Sequence, residues 1–170
     1  LRLRQMAVAF LLNEEQEVLF LQKEQKGTFL AGLLVPIGGH MEETEINEPQ
    51  KACLREVQEE TGLKGESIEN LKLRYIVHRI KGSHEIRIQY VFFGTVSKNS
   101  TLIKSDEGSL KWIGYKDIPN YNVTATTIEI AKHYKEIAKY NEAVYVGSMK
   151  SEKGNPEITW GLLEDWELRD

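Results

Sequence analysis

Between Glu42 and Glu60 the chain places seven carboxylates, Glu42, Glu43, Glu45, Glu48, Glu56, Glu59 and Glu60, against two cations, Lys51 and Arg55, a net of -5. The whole protein, with 22 Lys and Arg against 26 Asp and Glu, carries only -4. Pro49 to Thr61 is helix-favouring: Pro49 suits the first turn, where its missing N–H would have no partner anyway, and Gly62 sits just past the last turn. On a helix turning about 100° per residue, Glu56, Glu59 and Glu60 fall at about 0°, 300° and 40°, whereas Leu54, Val57 and Thr61 fall near 160°, 100° and 140°. Three acids therefore share one face and an apolar strip the other. Like charges at these spacings destabilise a helix by a few tenths of a kcal/mol each, and Glu59 and Glu60 lie toward its negative end. A bound divalent cation turns that repulsion into attraction.

The donor types select the cation. All-oxygen ligands, without a His or Cys triad, point to Mg²⁺ or Mn²⁺ rather than Zn²⁺, and Ca²⁺ usually takes an Asp/Asn-rich loop with a central Gly. Mg²⁺ is commonly held by a few carboxylates plus substrate phosphates, so the expected ligand is a small phosphate or diphosphate compound. An acidic run alone reads more simply as a solvated helix face, with Arg55 and Glu59 as an ordinary surface pair. Pro36-Ile37-Gly38-Gly39 directly upstream shifts the balance, because a glycine turn that delivers backbone to the acidic helix is not needed by a merely soluble face.

Around this segment the pattern alternates strand and helix. Leu3 to Leu12 and Glu17 to Gln22 read as strand, turn and strand. Leu33 to Ile37 reads as a short buried strand ended by Gly38-Gly39. Leu71 to Ile80 and Glu85 to Val96 flank the hairpin composition Lys81-Gly82-Ser83-His84, and Leu110 to Ile113 is a further strand. Thr124 to Tyr140 sets Ile128, Ala131, Tyr134, Ile137 and Ala138 at helical spacing. Ala143 to Met149 and Glu157 to Leu163 suggest a late hairpin around Lys153-Gly154-Asn155-Pro156. With 170 residues, 41% of them hydrophobic, and no repeat or linker, the expectation is one domain over residues 1–170.

Here the chain resembles the Nudix hydrolases, MutT-type members in particular. Their signature runs Gly, five residues, Glu, seven residues, Arg-Glu, an aliphatic, any residue, Glu-Glu, any residue, Gly, an aliphatic. This chain offers Gly39, then Glu45, then Arg55-Glu56-Val57-Gln58-Glu59-Glu60-Thr61-Gly62-Leu63. The second half matches throughout. Nine residues rather than seven separate Glu45 from Arg55, and strict counting lands on Asn47. Placing the extra pair in the loop around Ile46-Asn47 keeps Glu45 in the signature.

The resemblance implies an α/β/α sandwich with a mixed β-sheet between helices, the box helix on one side and the Thr124 to Tyr140 helix on the other. It implies that Glu56, Glu59 and Glu60 hold Mg²⁺ with the carbonyl of Gly38, and that Arg55 and Glu45 orient the helix carboxylates. Gly39 and His40 then form a substrate-phosphate loop. Two residues compete for general base: Glu56, and Glu107 in Ser105-Asp106-Glu107-Gly108, which is similar to a loop glutamate of MutT-type chains. The implied reaction is hydrolysis of the diphosphate linkage of a nucleoside diphosphate derivative. The specific expectation is a purine nucleoside triphosphate, including oxidised forms such as 8-oxo-dGTP, giving monophosphate and pyrophosphate. The alternatives are a Nudix-fold nucleotide-binding or regulatory module without turnover, and a plain acidic interaction domain.

Other residues attract bland readings. His78 and His84 belong to a sheet surface, and Cys53 to inert packing. Phe29, Phe92, Phe93 and Trp112 are aromatics that stack on a base or, more commonly, fill a core. The negative net charge disfavours a nucleic acid polymer or an anionic membrane as partner. The longest uncharged stretch, Thr28 to Met41, is broken by glycine and proline well short of the roughly 20 residues of a spanning helix. Leu1-Arg2-Leu3-Arg4 has no secretory pattern, and one cysteine suits a reducing compartment, so the expected location is the cytoplasm. The partner is a small-molecule nucleotide, and the oligomeric state stays open, a homodimer included.

Overall fold

The computed structural model describes residues 1–24 and 32–168. Eight strands form one mixed sheet: β1 (Arg2–Leu12), β2 (Glu17–Lys23), β3 (Leu34–His40), β4 (Glu69–Lys81), β5 (Glu85–Thr95), β6 (Gly108–Gly114), β7 (Val144–Glu152) and β8 (Asn155–Leu163). Their order is β6-β2-β3-β1-β5-β4-β7-β8, with β1–β5 and β4–β7 parallel and the other neighbours antiparallel. Two helices, α1 (Pro49–Thr61) and α2 (Ala125–Glu136), belong to opposite faces.

The alternation of β1 explains the sandwich. Ala7, Ala9 and Leu11 pack with Ala52, Cys53 and Val57 of α1, while Val8 and Phe10 pack with Ile130 and Ala131 of α2. Successive side chains leave a strand on opposite faces, so a strand apolar at every position requires cover on both. β2 follows the same rule, Leu19 and Leu21 facing α1 and Val18 and Phe20 facing α2.

The bounds of α1 agree with the local signals. Pro49 opens it, and Gly62 closes it at φ 78°, its N–H donating to the carbonyl of Gln58. Two other expectations are corrected. β3 does not end at Gly38-Gly39 but runs through both glycines to His40, pairing Gly38 with Val8 and Gly39 with Ala7. α2 stops at Glu136 rather than Tyr140, and a separate short 3-10 turn covers Ala138–Tyr140. The physical reason for the early stop is Arg74, which is buried and donates to the carbonyls of Ala138, Asn141 and Ala143. Those carbonyls converge on one guanidinium only if the helix has ended.

β3 is also a hand-over strand. Leu34, Val35 and Pro36 pair with β2, whereas Ile37 to His40 pair with β1. The glycines therefore lie where β3 has left β2. At the far edge, β7 and β8 join through Lys153 (φ 50°) and Gly154 (φ 84°), both in the left-handed region favoured by tight hairpin turns. Asn155 and Pro156 belong to β8, so the connection is shorter than the composition suggests.

Candidate active site

Gly39 faces α1 so closely that a Cβ there would stand 2.6 Å from Glu56 Oε1. A Cβ on Gly38, at φ 152°, would stand 2.3 Å from the carbonyl oxygen of Ala7. Only a strand without side chains comes this close to the acidic helix. Gly38 also donates its N–H to Glu60 Oε1 at 3.0 Å, tying strand to helix directly.

The carboxylates divide by environment. Glu60 is 5% exposed, and burial is the first cause that pushes its pKa up to about 7, with Glu107 and Glu56 adding to it. Glu56 is half-buried and also shifted upward, again by burial first. Glu59 points outward, its side chain 57% exposed. The three acids thus share a side of the helix without sharing one environment.

Arg55 holds the cluster together. Its Nη1 lies 3.0 Å from Glu56 Oε1 and 3.2 Å from Glu59 Oε2, while Nη2 donates to the carbonyl of His40 at 3.0 Å. Its Nε donates to Glu45 Oε1 at 2.6 Å and its Nη2 to Glu45 Oε2 at 3.0 Å, a two-point fork. Part of the repulsion that the sequence assigns to a missing cation is therefore answered within the chain. Glu45 is buried in a 3-10 turn, Glu43–Glu45, where it also accepts from the N–H of Glu42. Asn47 is exposed in the turn beyond. It is Glu45 that meets Arg55, and the two extra residues are taken up before Pro49.

His40 contributes its backbone carbonyl to Arg55 and lies on β3, not in a loop. Desolvation, then Arg4 and Arg87, push its imidazole below the ordinary pKa. Glu107 is exposed on the turn before β6, its Oε2 3.6 Å from Lys23 Nζ, and its charge reaches both Glu56 and Glu60. Lys23 has no sequence signal; it is one of many strand-end lysines, and only β2–β3 pairing brings it to the site.

A cavity of about 200 Å³ opens on the α2 side of the glycine strand, between Gly38, Gly39 and Lys23 at one end and Met6 and Gln89 on its floor. Thr126 and Thr127 from the first turn of α2 close it. Its one aromatic lining residue among the described residues is Phe10. Phe92 and Trp112 pack in the α1-side core, and Phe93 stacks between Phe10 and Tyr134, so these three are core. Phe29 lies outside the described residues. Cys53 is fully buried, its thiol pushed up to about 12, which agrees with inert packing.

Among the described residues no three His, Cys, Asp or Glu side chains converge as a ready metal cage. The donor chemistry nevertheless suits a hard divalent cation. Glu56 and Glu60 offer oxygen ligands whose charge is opposed by burial and by each other, with no histidine or thiol beside them. No helix of the described residues is long and apolar enough to cross a membrane.

The MutT protein from Bacillus halodurans has a similar structure, with TM-score 0.68 and 20% identity over 94% of this chain and 97% of that one. The MutT protein from Methanosarcina mazei Go1 gives 0.67 and 21% over 81% and 96%. A Caenorhabditis elegans Ap4A hydrolase gives 0.66 and 14% over 81% and 99%. At these identities the likeness is one of fold. The sequence itself matches the NUDIX domain over residues 2–135, a span that includes α1, all but the last residue of α2 and every carboxylate of the site described above, and the chain therefore belongs to the Nudix family.

Proposed function

We propose that this Nudix pyrophosphohydrolase cleaves a purine nucleoside triphosphate, oxidised forms included, to monophosphate and pyrophosphate. The observation that carries the reading is the juxtaposition of Glu56 and Glu60 with Gly38 and Gly39, the two glycines that also line the cavity. Glu56, Glu60 and the more exposed Glu59, with the carbonyl of Gly38, would hold Mg²⁺ or Mn²⁺. A bound ion of this kind neutralises phosphate charge and makes water more acidic.

The chain's own groups supply the rest. Arg55 fixes the Glu56 carboxylate from one side, and Glu45 fixes Arg55. Lys23 brings positive charge to the cavity's phosphate end. Glu56, raised in pKa by burial and held by Arg55, is one candidate general base. Glu107 is the competing base, reaching the site from the exposed turn before β6.

The test is a nucleotide panel of canonical and oxidised triphosphates, nucleotide sugars and dinucleotides, with Mg²⁺ and identification of products. Turnover of triphosphates to pyrophosphate, lost in Glu60→Gln and in Glu56→Gln with the fold intact, supports the proposal. Nucleotide binding without any product replaces it with the non-catalytic module. If Glu107→Gln abolishes turnover while Glu56→Gln retains it, the base is Glu107.

A further inference from the structure

Beyond the cavity floor, the same face of the sheet changes character. The strand register sets Arg4 of β1 opposite Arg87 of β5, and Arg87 opposite Arg79 of β4. Side-chain alternation puts all three on the face that carries Val8, Val91 and Val77, which is the face of α2 and the cavity. The next row outward is Arg2, Glu85 and Lys81. Like charges directly opposite one another on neighbouring strands are destabilising, and here they stand three abreast.

Glu85 is the one carboxylate in these two rows, and it is already engaged. It is buried, accepts from Arg87 Nε at 2.6 Å and stands 3.8 Å from Arg4 Nε. Arg79 has no ion pair among the described residues. Five cations against one acid leave a local excess of +4 in a chain whose net charge is -4. The row lies two residues along the strands from Met6 and Gln89, about 7 Å, and is the next row on the same face beyond the cavity lining.

Its position sets most of the row apart from the scissile diphosphate. The acid cluster packs against β3, whereas Arg4, Arg87 and Arg79 are one, two and three strands away, about 5, 10 and 14 Å at the usual strand spacing. An anion there belongs to the other end of the ligand.

Resting on the reading of this cavity as the substrate's, we propose that the Arg4–Arg87–Arg79 row binds a second phosphate carried by the nucleoside half of the substrate. The substrate class is then a purine nucleoside polyphosphate phosphorylated again on its ribose. The row orients that half over Gln89 and selects against nucleotides without the extra phosphate.

The experiment uses ligands that contain no diphosphate to cleave. Titration calorimetry on the full chain with Mg²⁺ compares guanosine 3′,5′-bisphosphate with GMP, and adenosine 3′,5′-bisphosphate with AMP. The expected result is an affinity about tenfold higher for a bisphosphate, weakening with salt, because a charge-assisted contact is being added. In Arg79→Gln and in Arg4→Gln the ratio should fall toward one. A ratio near one for both pairs in the unaltered protein, a ratio unmoved by either substitution, or failure of all four ligands to bind overturns the proposal. Hydrolysis of GTP and of a guanosine 5′-triphosphate that also carries a 3′-phosphate is measured in parallel: if neither is cleaved while the bisphosphate preference holds, the hydrolase reading falls and the phosphate row stands.

Discussion

Glu45 Oε1 accepts a 2.6 Å hydrogen bond from Arg55 Nε across ten residues of chain, and the same guanidinium reaches 3.0 Å to Glu56 Oε1. One arginine thus links a buried 3-10 turn to the carboxylate that packs against Gly39. The Arg55 guanidinium, followed by the Glu42 N–H, holds the Glu45 carboxyl down to about 2. Because that value lies below the ordinary 4.5 of the unfolded chain, the stabilisation is present above pH 4.5 and lost as pH falls toward 2.

Glu45→Gln should therefore remove part of the acid sensitivity of the fold between those values, lower the thermal midpoint at pH 7, and reduce turnover about tenfold or more through a loosened Arg55. Circular dichroism melts across pH, with kcat measured alongside, check this. Equal melts for both proteins at every pH would show that the fork contributes nothing to stability.

Glu60 predicts the opposite pH dependence. Its folded pKa of about 7 exceeds the unfolded 4.5, so the folded state holds the proton more tightly, and stability falls as pH rises from 4.5 to 7. The loss is on the order of 2–3 kcal/mol. With chelator present, the thermal midpoint should drop over that range and flatten above it; Glu60→Gln should abolish the drop. Added Mg²⁺ should restore the midpoint most at pH 8, where the carboxylate is ionised. A metal-free midpoint that rises from pH 5 to 7 would contradict this.

The two glycines should separate folding from chemistry. Gly38→Ala drives a Cβ into the backbone of Ala7 and costs roughly 2–4 kcal/mol, seen as a lower denaturation midpoint. For Gly39→Ala the nearest atoms to the new Cβ all belong to the Glu56 side chain rather than to backbone, so the fold should survive while activity falls by about a hundredfold. If both variants lose the same stability, the close approach of Gly39 to Glu56 has no special role.

Cys53, fully buried and with its thiol pushed up to about 12, should not react with a thiol reagent until the protein unfolds. Labelling at the rate of a free thiol in native buffer would show that α1 opens.

The acidic helix was readable because its signals are local. Pro49 and Gly62 mark its ends, and the spacing of Glu56, Val57 and Glu60 fixes which side is charged. The end of β3 is not legible in the sequence because glycine pairs in a linear sequence look like turns; their reason for being in a strand is Glu56 and Ala7, which lie far along the chain. The same holds for α2, whose last turn is given up to satisfy Arg74, a residue of a strand more than sixty positions earlier.

By itself, the sequence determined the alternation of elements, the bounds of α1 and the Nudix signature, since each depends on neighbours within a few residues. Tertiary structure alone decided that Lys23 approaches the carboxylates and that Arg4, Arg87 and Arg79 line up, and it supplied the contact of Glu45 with Arg55 that the resemblance implies. Charge and hydrogen bonding act through space over a few ångströms, and which distant residues come within that range is set by strand register and packing.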